Sequence, residues 1–190
     1  MFVDAHFHTN VYERWEGTLE VALSIMRKHR IYALSATTDL DSYKSTLEIA
    51  KKSKFVIPCF GLHPQVALDY IDKLDSLKDH FEQAVAYSEI GLDRYHLKDE
   101  SQYPAQEKLL EHFFTFAQKQ NKLVVLHLDG AEEIGLEMIR NFSLKKVIVH
   151  GYKGSIQTLK EMIDYGCYFS VGGNIIMDKF KPVIEQEDWD

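Results

Sequence analysis

Leu123-Val124-Val125-Leu126-His127 places four consecutive apolar residues ahead of an imidazole. A strand with one wet face alternates apolar and polar residues. An unbroken run such as this belongs to a strand buried on both faces, as in a parallel sheet covered by helices. The same pattern recurs, with strands read at Met1–His6, Ile31–Thr37, Phe55–Gly61, Val85–Ile90, Leu123–His127, Lys146–His150 and Tyr168–Gly172. Their spacing, roughly twenty to thirty residues, leaves room for a helix after each.

Helical periodicity fills those intervals. Thr18 is placed to cap a helix carrying Leu19, Leu23 and Met26 on one face, and Tyr43, Leu47 and Ala50 mark the next. Leu74, Leu77 and Phe81 form a third stripe, and Pro104 opens a long helix with Leu109, Leu110, Phe113, Phe114 and Ala117 inward. Ile134, Met138 and Ile139 follow, then Ile156, Leu159 and Ile163 before Gly166 as a C-terminal cap. These stripes are core. With no low-complexity stretch or Pro/Gly/Ser linker, residues 1–190 read as a single domain.

The fold class is therefore α/β, a TIM-type (β/α) barrel with seven recognisable strands, incomplete or truncated at its C-terminus; a closed eight-strand barrel usually takes about 200 residues or more. A doubly wound open sheet would need a cofactor loop, and neither Gly-x-Gly-x-x-Gly nor a phosphate-loop motif occurs.

Composition narrows the function classes. The 190 residues are 45% hydrophobic and 27% charged, with a formal net charge of −7. Lys51-Lys52 and Lys145-Lys146 are short pairs, not the clustered cations of a stable nucleic-acid complex. No apolar run suits a membrane span and no signal pattern precedes the first strand, so a cytoplasmic protein is expected. Cys59 and Cys167 sit in apolar strands and read as buried thiols rather than a disulfide.

Barrel strands converge at their C-terminal ends, where active sites are built. Asp4-Ala5-His6-Phe7-His8 ends the first strand, and residues two apart on a strand point the same way. Met1-Phe2-Val3 before it is apolar enough to be buried. Gly61-Leu62-His63-Pro64 ends the third strand, Ser88-Glu89-Ile90-Gly91-Leu92-Asp93 the fourth, His127 the fifth and His150 the sixth. His6, His8, His127 and His150 with Glu89 form a candidate metal centre on rigid supports. Each also has a structural reading: Glu89 or Asp93 paired with Arg94, and each histidine hydrogen-bonded in a core. Those readings do not account for the shared placement at strand ends. His29, His80 and His112 are read as surface residues; His96 stays a pocket candidate beside Asp93.

These segments, with Gln106 in the helix after Asp93 and His150-Gly151-Tyr152-Lys153-Gly154-Ser155, resemble the TatD family of metal-dependent hydrolases in the amidohydrolase superfamily. The resemblance runs in family order over essentially the whole chain. It implies two divalent ions, His6 and His8 on one, His127 and His150 on the other, and Glu89 bridging. It also implies hydrolysis of phosphodiester or related esters, commonly as a DNase, through a metal-activated bridging water. His63 would then orient or protonate a substrate oxygen, and Asp93 would position an imidazole or contact substrate through water. A donor set of His and carboxylate admits Zn, Mn, Fe, Co or Ni. The expected partner is a small ester or phosphoester, or a single-stranded nucleic-acid end.

Two departures stand out. Where the family carries an arginine two positions after the fifth-strand histidine, this chain has Asp129, read as phosphate-repelling, as a further site carboxylate, or as a helix cap before Ala131-Glu132-Glu133. The family's eighth-strand Glu-Thr-Asp has no counterpart, and Glu187-Asp188-Trp189-Asp190 follows no apolar run. An open barrel edge would invite homo-oligomerisation or a covering helix. Two other functions compete: a metal-binding barrel with little turnover, and a phosphoesterase of the polymerase-and-histidinol-phosphatase type, whose further His and Asp motifs are not found.

Overall fold

The computed structural model describes residues 1–172. Residues 173–190, and with them Glu187-Asp188-Trp189-Asp190, lie outside the described residues. Among the described residues seven strands, β1 (Phe2–Phe7), β2 (Ile31–Ser35), β3 (Val56–Pro58), β4 (Ala86–Asp93), β5 (Leu123–Asp129), β6 (Val147–His150) and β7 (Tyr168–Ser170), alternate with helices. The helices are α1 (Thr18–His29), α2 (Leu40–Lys52), α3 (Ala67–Tyr70), α4 (Lys78–Gln83), α5 (Tyr103–Gln120), α6 (Glu132–Asn141) and α7 (Ile156–Tyr165).

Every strand pair among the described residues is parallel. The sheets β1-β2-β3 and β4-β5-β6-β7 are joined by a parallel bridge between Phe60 and Tyr87, so the strands follow one another in chain order as in a (β/α) barrel. Among the described residues β1 and β7 do not pair. A cavity of about 760 Å³ lies between them, lined by Phe2, Asp4, His6, His150, Phe169 and Ser170.

All eight positions of β4 are buried, as a strand covered on both faces requires. Outside it, α5 buries Leu109, Leu110, Phe113, Phe114 and Ala117. The Phe113 ring meets Phe60, Phe81 and Tyr87 at centroid distances of 5.5, 4.7 and 5.0 Å. Ser155 caps α7 by accepting the Thr158 N–H, and Gly166 ends that helix at φ 100°. Both cysteines are free and buried, and burial pushes the Cys59 thiol up to about 12.

Several local expectations need correction. Met1, Phe2 and Val3 are exposed: β1 pairs with β2 on one side, and among the described residues its other side faces the cavity. Gly17, at φ 76°, is the residue that precedes α1; Thr18 lies inside its first turn and donates its hydroxyl to the Tyr12 and Trp15 carbonyls. Leu47, Ile134 and Ile156 sit at the margins of their helix stripes and are exposed, while Ile49, Leu136 and Met162 are buried instead. His80 and His112 are half-buried, His80 against Tyr43 and Phe60 and His112 against Phe81 and Phe116.

Candidate metal centre

The site is organised around Glu89. β4 breaks register with β5 between Ser88 and Ile90, and Glu89 adopts φ 60°, a left-handed conformation rare for a residue with a long side chain. The bulge re-aims the Glu89 side chain, which an unbroken strand would direct according to simple alternation. Close backbone approach on both sides of it depends on glycine. A Cβ at Gly91 would fall 1.7 Å from the His127 carbonyl oxygen, and one at Gly61 would fall 1.6 Å from that of Ser88.

Five imidazoles surround the carboxylate. Its Oε1 lies 2.7 Å from His6 Nε2 and 3.1 Å from His8 Nε2. Its Oε2 lies 3.6 Å from His127 Nδ1, 3.6 Å from His150 Nε2 and 3.8 Å from His63 Nε2. The two oxygens thus divide the ring of histidines between them. Burial pushes the Glu89 carboxyl up, but the imidazoles of His150, His6 and His8 more than reverse this and hold it far below the usual carboxylate range. Burial also lowers His127, and burial with the nearby His127 lowers His63 to about 4, so both rings are neutral at pH 7, the form a metal ligand must have.

Two groups of side chains bring ligand atoms within 4.8 Å of one another: His6, Glu89 and His150, and His63, Asp93 and His127. Among the described residues, buried atoms without a hydrogen-bond partner concentrate here: His6 Nδ1, Glu89 Oε2, Asp93 Oδ2, both ring nitrogens of His127, and His150 Nε2. Native interiors rarely leave so many polar atoms unmet, and a cation is what would satisfy them together. Nitrogen and carboxylate donors suit borderline divalent metals, so the residues fit the group.

His63 differs from its neighbours. Its Nδ1 accepts the Gln65 N–H at 3.2 Å, so the neutral ring carries its proton on Nε2, the atom that faces Glu89. That atom is a donor to the site rather than a lone pair for a metal. Asp93 is held from three directions. Its Oδ1 accepts the Tyr95 and His96 N–H groups, and Gln106 Oε1 accepts its own N–H at 3.0 Å. Its Oδ2 is left 3.5 Å from His127 Nε2. Burial raises the Asp93 carboxyl, but the His96 N–H and the His127 imidazole lower it further, leaving it below its ordinary value. Arg94 contacts neither Asp93 nor Glu89; it pairs with Glu107 and stacks on Tyr103 at 3.4 Å.

A model of the TatD related DNase family matches residues 3–187. The chain belongs to that family. Among TatD relatives it is 25% identical over 181 residues to the uncharacterized metal-dependent hydrolase YjjV of Escherichia coli (strain K12), covering 92% of this chain and 69% of the relative. It is 24% identical over 190 residues to the deoxyribonuclease TATDN3 of Homo sapiens, covering 92% and 69%. The family is one of enzymes. The crystal structure of YjjV, described as a TatD homolog, superposes with a TM-score of 0.83 at 24% identity, over 98% of this chain and 74% of that one. A TatD family hydrolase from Entamoeba histolytica gives 0.78 at 18% identity, over 97% and 69%. These likenesses establish the fold.

Asp129 departs from the cap reading. It ends β5, and α6 starts after Ala131 with no side-chain cap. Nor is its charge free to repel: Lys153 Nζ donates to its Oδ2 at 2.6 Å, and His96 Nε2 lies 3.3 Å from the same oxygen. Sequence reading assigned Lys153 no role. The signal that could have found it is a lysine three residues past the His150 strand end, on the loop next to the one that follows Asp129.

Proposed function

We propose that this TatD-family chain hydrolyses phosphodiester or related ester bonds at a dinuclear divalent metal centre. The observation that carries this reading is the single carboxylate of Glu89 within 2.7 to 3.8 Å of five imidazoles. His6 and His8 would hold one ion with Glu89 Oε1, and His127 and His150 the other with Glu89 Oε2. Two ions bound there supply Lewis acidity, which lowers the pKa of a water and offsets charge on the attacked group.

The chain's own residues do the rest. Glu89 offers one oxygen to each side, which its bulged backbone keeps aimed into the barrel. Asp93 Oδ2 faces His127 Nε2 and would accept its proton, leaving Nδ1 as the ligand atom, a carboxylate–histidine–metal arrangement. His63, neutral and protonated on Nε2, donates a hydrogen bond to a substrate oxygen. A net charge of −7 suits transient contact with a nucleic-acid end rather than stable binding.

The test is metal analysis of the reconstituted protein together with chelator-sensitive hydrolysis of an aryl phosphodiester and of single-stranded DNA. About two divalent ions per chain with hydrolysis supports the reading. Retention of metal without hydrolysis of any ester supports instead a binding barrel with little turnover.

A further inference from the structure

The loops at the ends of β4, β5 and β6 meet above the candidate metal centre in a polar cluster that the proposed chemistry leaves unused. Asp129 stands two residues beyond His127 on β5, so its side chain leaves the same face about 6.5 Å further toward the barrel mouth. Its Oδ2 accepts from Lys153 Nζ at 2.6 Å. His96 Nε2 approaches that oxygen at 3.3 Å, and the Tyr95 ring lies 5.7 Å from the same ammonium. The Asp129 side chain is buried at 8% exposure, whereas that of Lys153 is 36% exposed. Asp93 supports the same cluster, since its Oδ1 holds the backbone that carries Tyr95 and His96.

We infer that Lys153, anchored by Asp129, is a specificity-determining contact for a second phosphate of the substrate, next to the one undergoing hydrolysis. An ammonium has three donors, and Asp129 takes one. The anchor fixes a side chain that otherwise loses much rotamer freedom on binding, and it leaves the remaining donors at the solvent-facing side. The exposed Tyr95 ring supplies a flat face on which a flanking base would stack. Because Asp129 neutralises the lysine, the contact acts at hydrogen-bond range and adds little long-range steering. The preferred substrate then carries at least two phosphates in sequence, rather than one isolated ester.

This inference rests on the proposed hydrolytic site, and binding separates the two. The probes are phosphorothioate-linked thymidine dinucleotides with and without a terminal phosphate, titrated calorimetrically into the metal-reconstituted full chain. The wild type should bind one phosphorylated form about tenfold more tightly than the unphosphorylated one, the scale of a charge-assisted hydrogen bond. Lys153→Met should abolish that preference while leaving metal content and the affinity for the unphosphorylated probe unchanged. The double variant Lys153→Met with Asp129→Asn removes both charges, leaves no orphaned carboxylate, and should behave alike. Equal binding of the probes by the wild type, or an undiminished preference in both variants, overturns the inference. A lysine-dependent preference in a protein that hydrolyses no phosphodiester or other ester would overturn the proposed function and leave this subsite standing.

Discussion

The imidazoles of His6 and His150 lie parallel, 7° apart in plane, with ring centroids 3.8 Å from each other. They come from β1 and β6, on either side of the cavity where no strand pairing joins β1 to β7 among the described residues. Both present Nε2 to Glu89, at 2.7 and 3.6 Å, one to each carboxylate oxygen. Among the described residues the ring of site side chains is therefore continuous where the backbone sheet is not.

Glu89→Gln keeps the shape of the side chain and removes its charge. On the proposed dinuclear mechanism its expected effect is a fall of about 10³-fold or more in hydrolysis, since several kcal/mol of charge stabilisation would depend on the ions it holds. Metal analysis should show fewer than two ions per chain. Full occupancy with unchanged turnover would contradict the bridging role.

Asp93→Asn retains the hydrogen bonds accepted from Tyr95 and His96 but weakens the acceptor facing His127. A loss of about 10- to 100-fold in metal affinity or activity is expected, with the folded structure intact by circular dichroism. Gln106→Ala should show a related but smaller loss, because it frees only the Asp93 backbone that Gln106 clamps.

Gly91→Ala should destabilise the protein whether or not metal is present. The added Cβ meets the His127 backbone at 1.7 Å at φ 155°, where no flexible side chain can yield. A loss of about 2–4 kcal/mol by urea unfolding is the expected outcome. A loss below about 0.5 kcal/mol would mean that β4 and β5 can separate without harm.

The metal-free protein should lose stability as pH falls from about 6.5 to 4. His63 titrates near 4 in the folded chain against an ordinary value of 6.5, lowered chiefly by burial, so over that window the unfolded chain binds more protons than the folded one. Stability therefore rises with pH through the window and levels above it. Urea midpoints measured in chelator should follow this course, with a shallower slope for His63→Gln. An unchanged slope in that variant would show that His63 does not contribute.

The barrel was legible in the sequence because it rests on local chemistry. Runs such as Leu123–Leu126 suit a strand buried on both faces, and the helix between Pro104 and Gln120 shows its inner stripe residue by residue. The meeting of the strand-end residues was legible for a related reason, since strand C-terminal ends converge in such a fold and polar residues placed there must approach one another. Edge effects were not. Met1, Phe2 and Val3 read as core because their chemistry is that of core, yet they are exposed on a strand that, among the described residues, pairs on one side alone.

What the sequence alone determined, then, is which residues reach the barrel mouth: His6, His8, His63, Glu89, Asp93, His127 and His150 all stand at strand ends in a pattern set by local periodicity. Tertiary structure decided how each one is oriented and partnered there. The bulge at Glu89 is a mismatch between two strands and exists only when they pair. The donor nitrogen of His63 follows from a backbone N–H two residues away once the turn has formed. The pairing of Asp129 with Lys153 joins two loops that sequence distance keeps apart. Such relationships depend on distances between segments, and these arise only when the chain closes on itself.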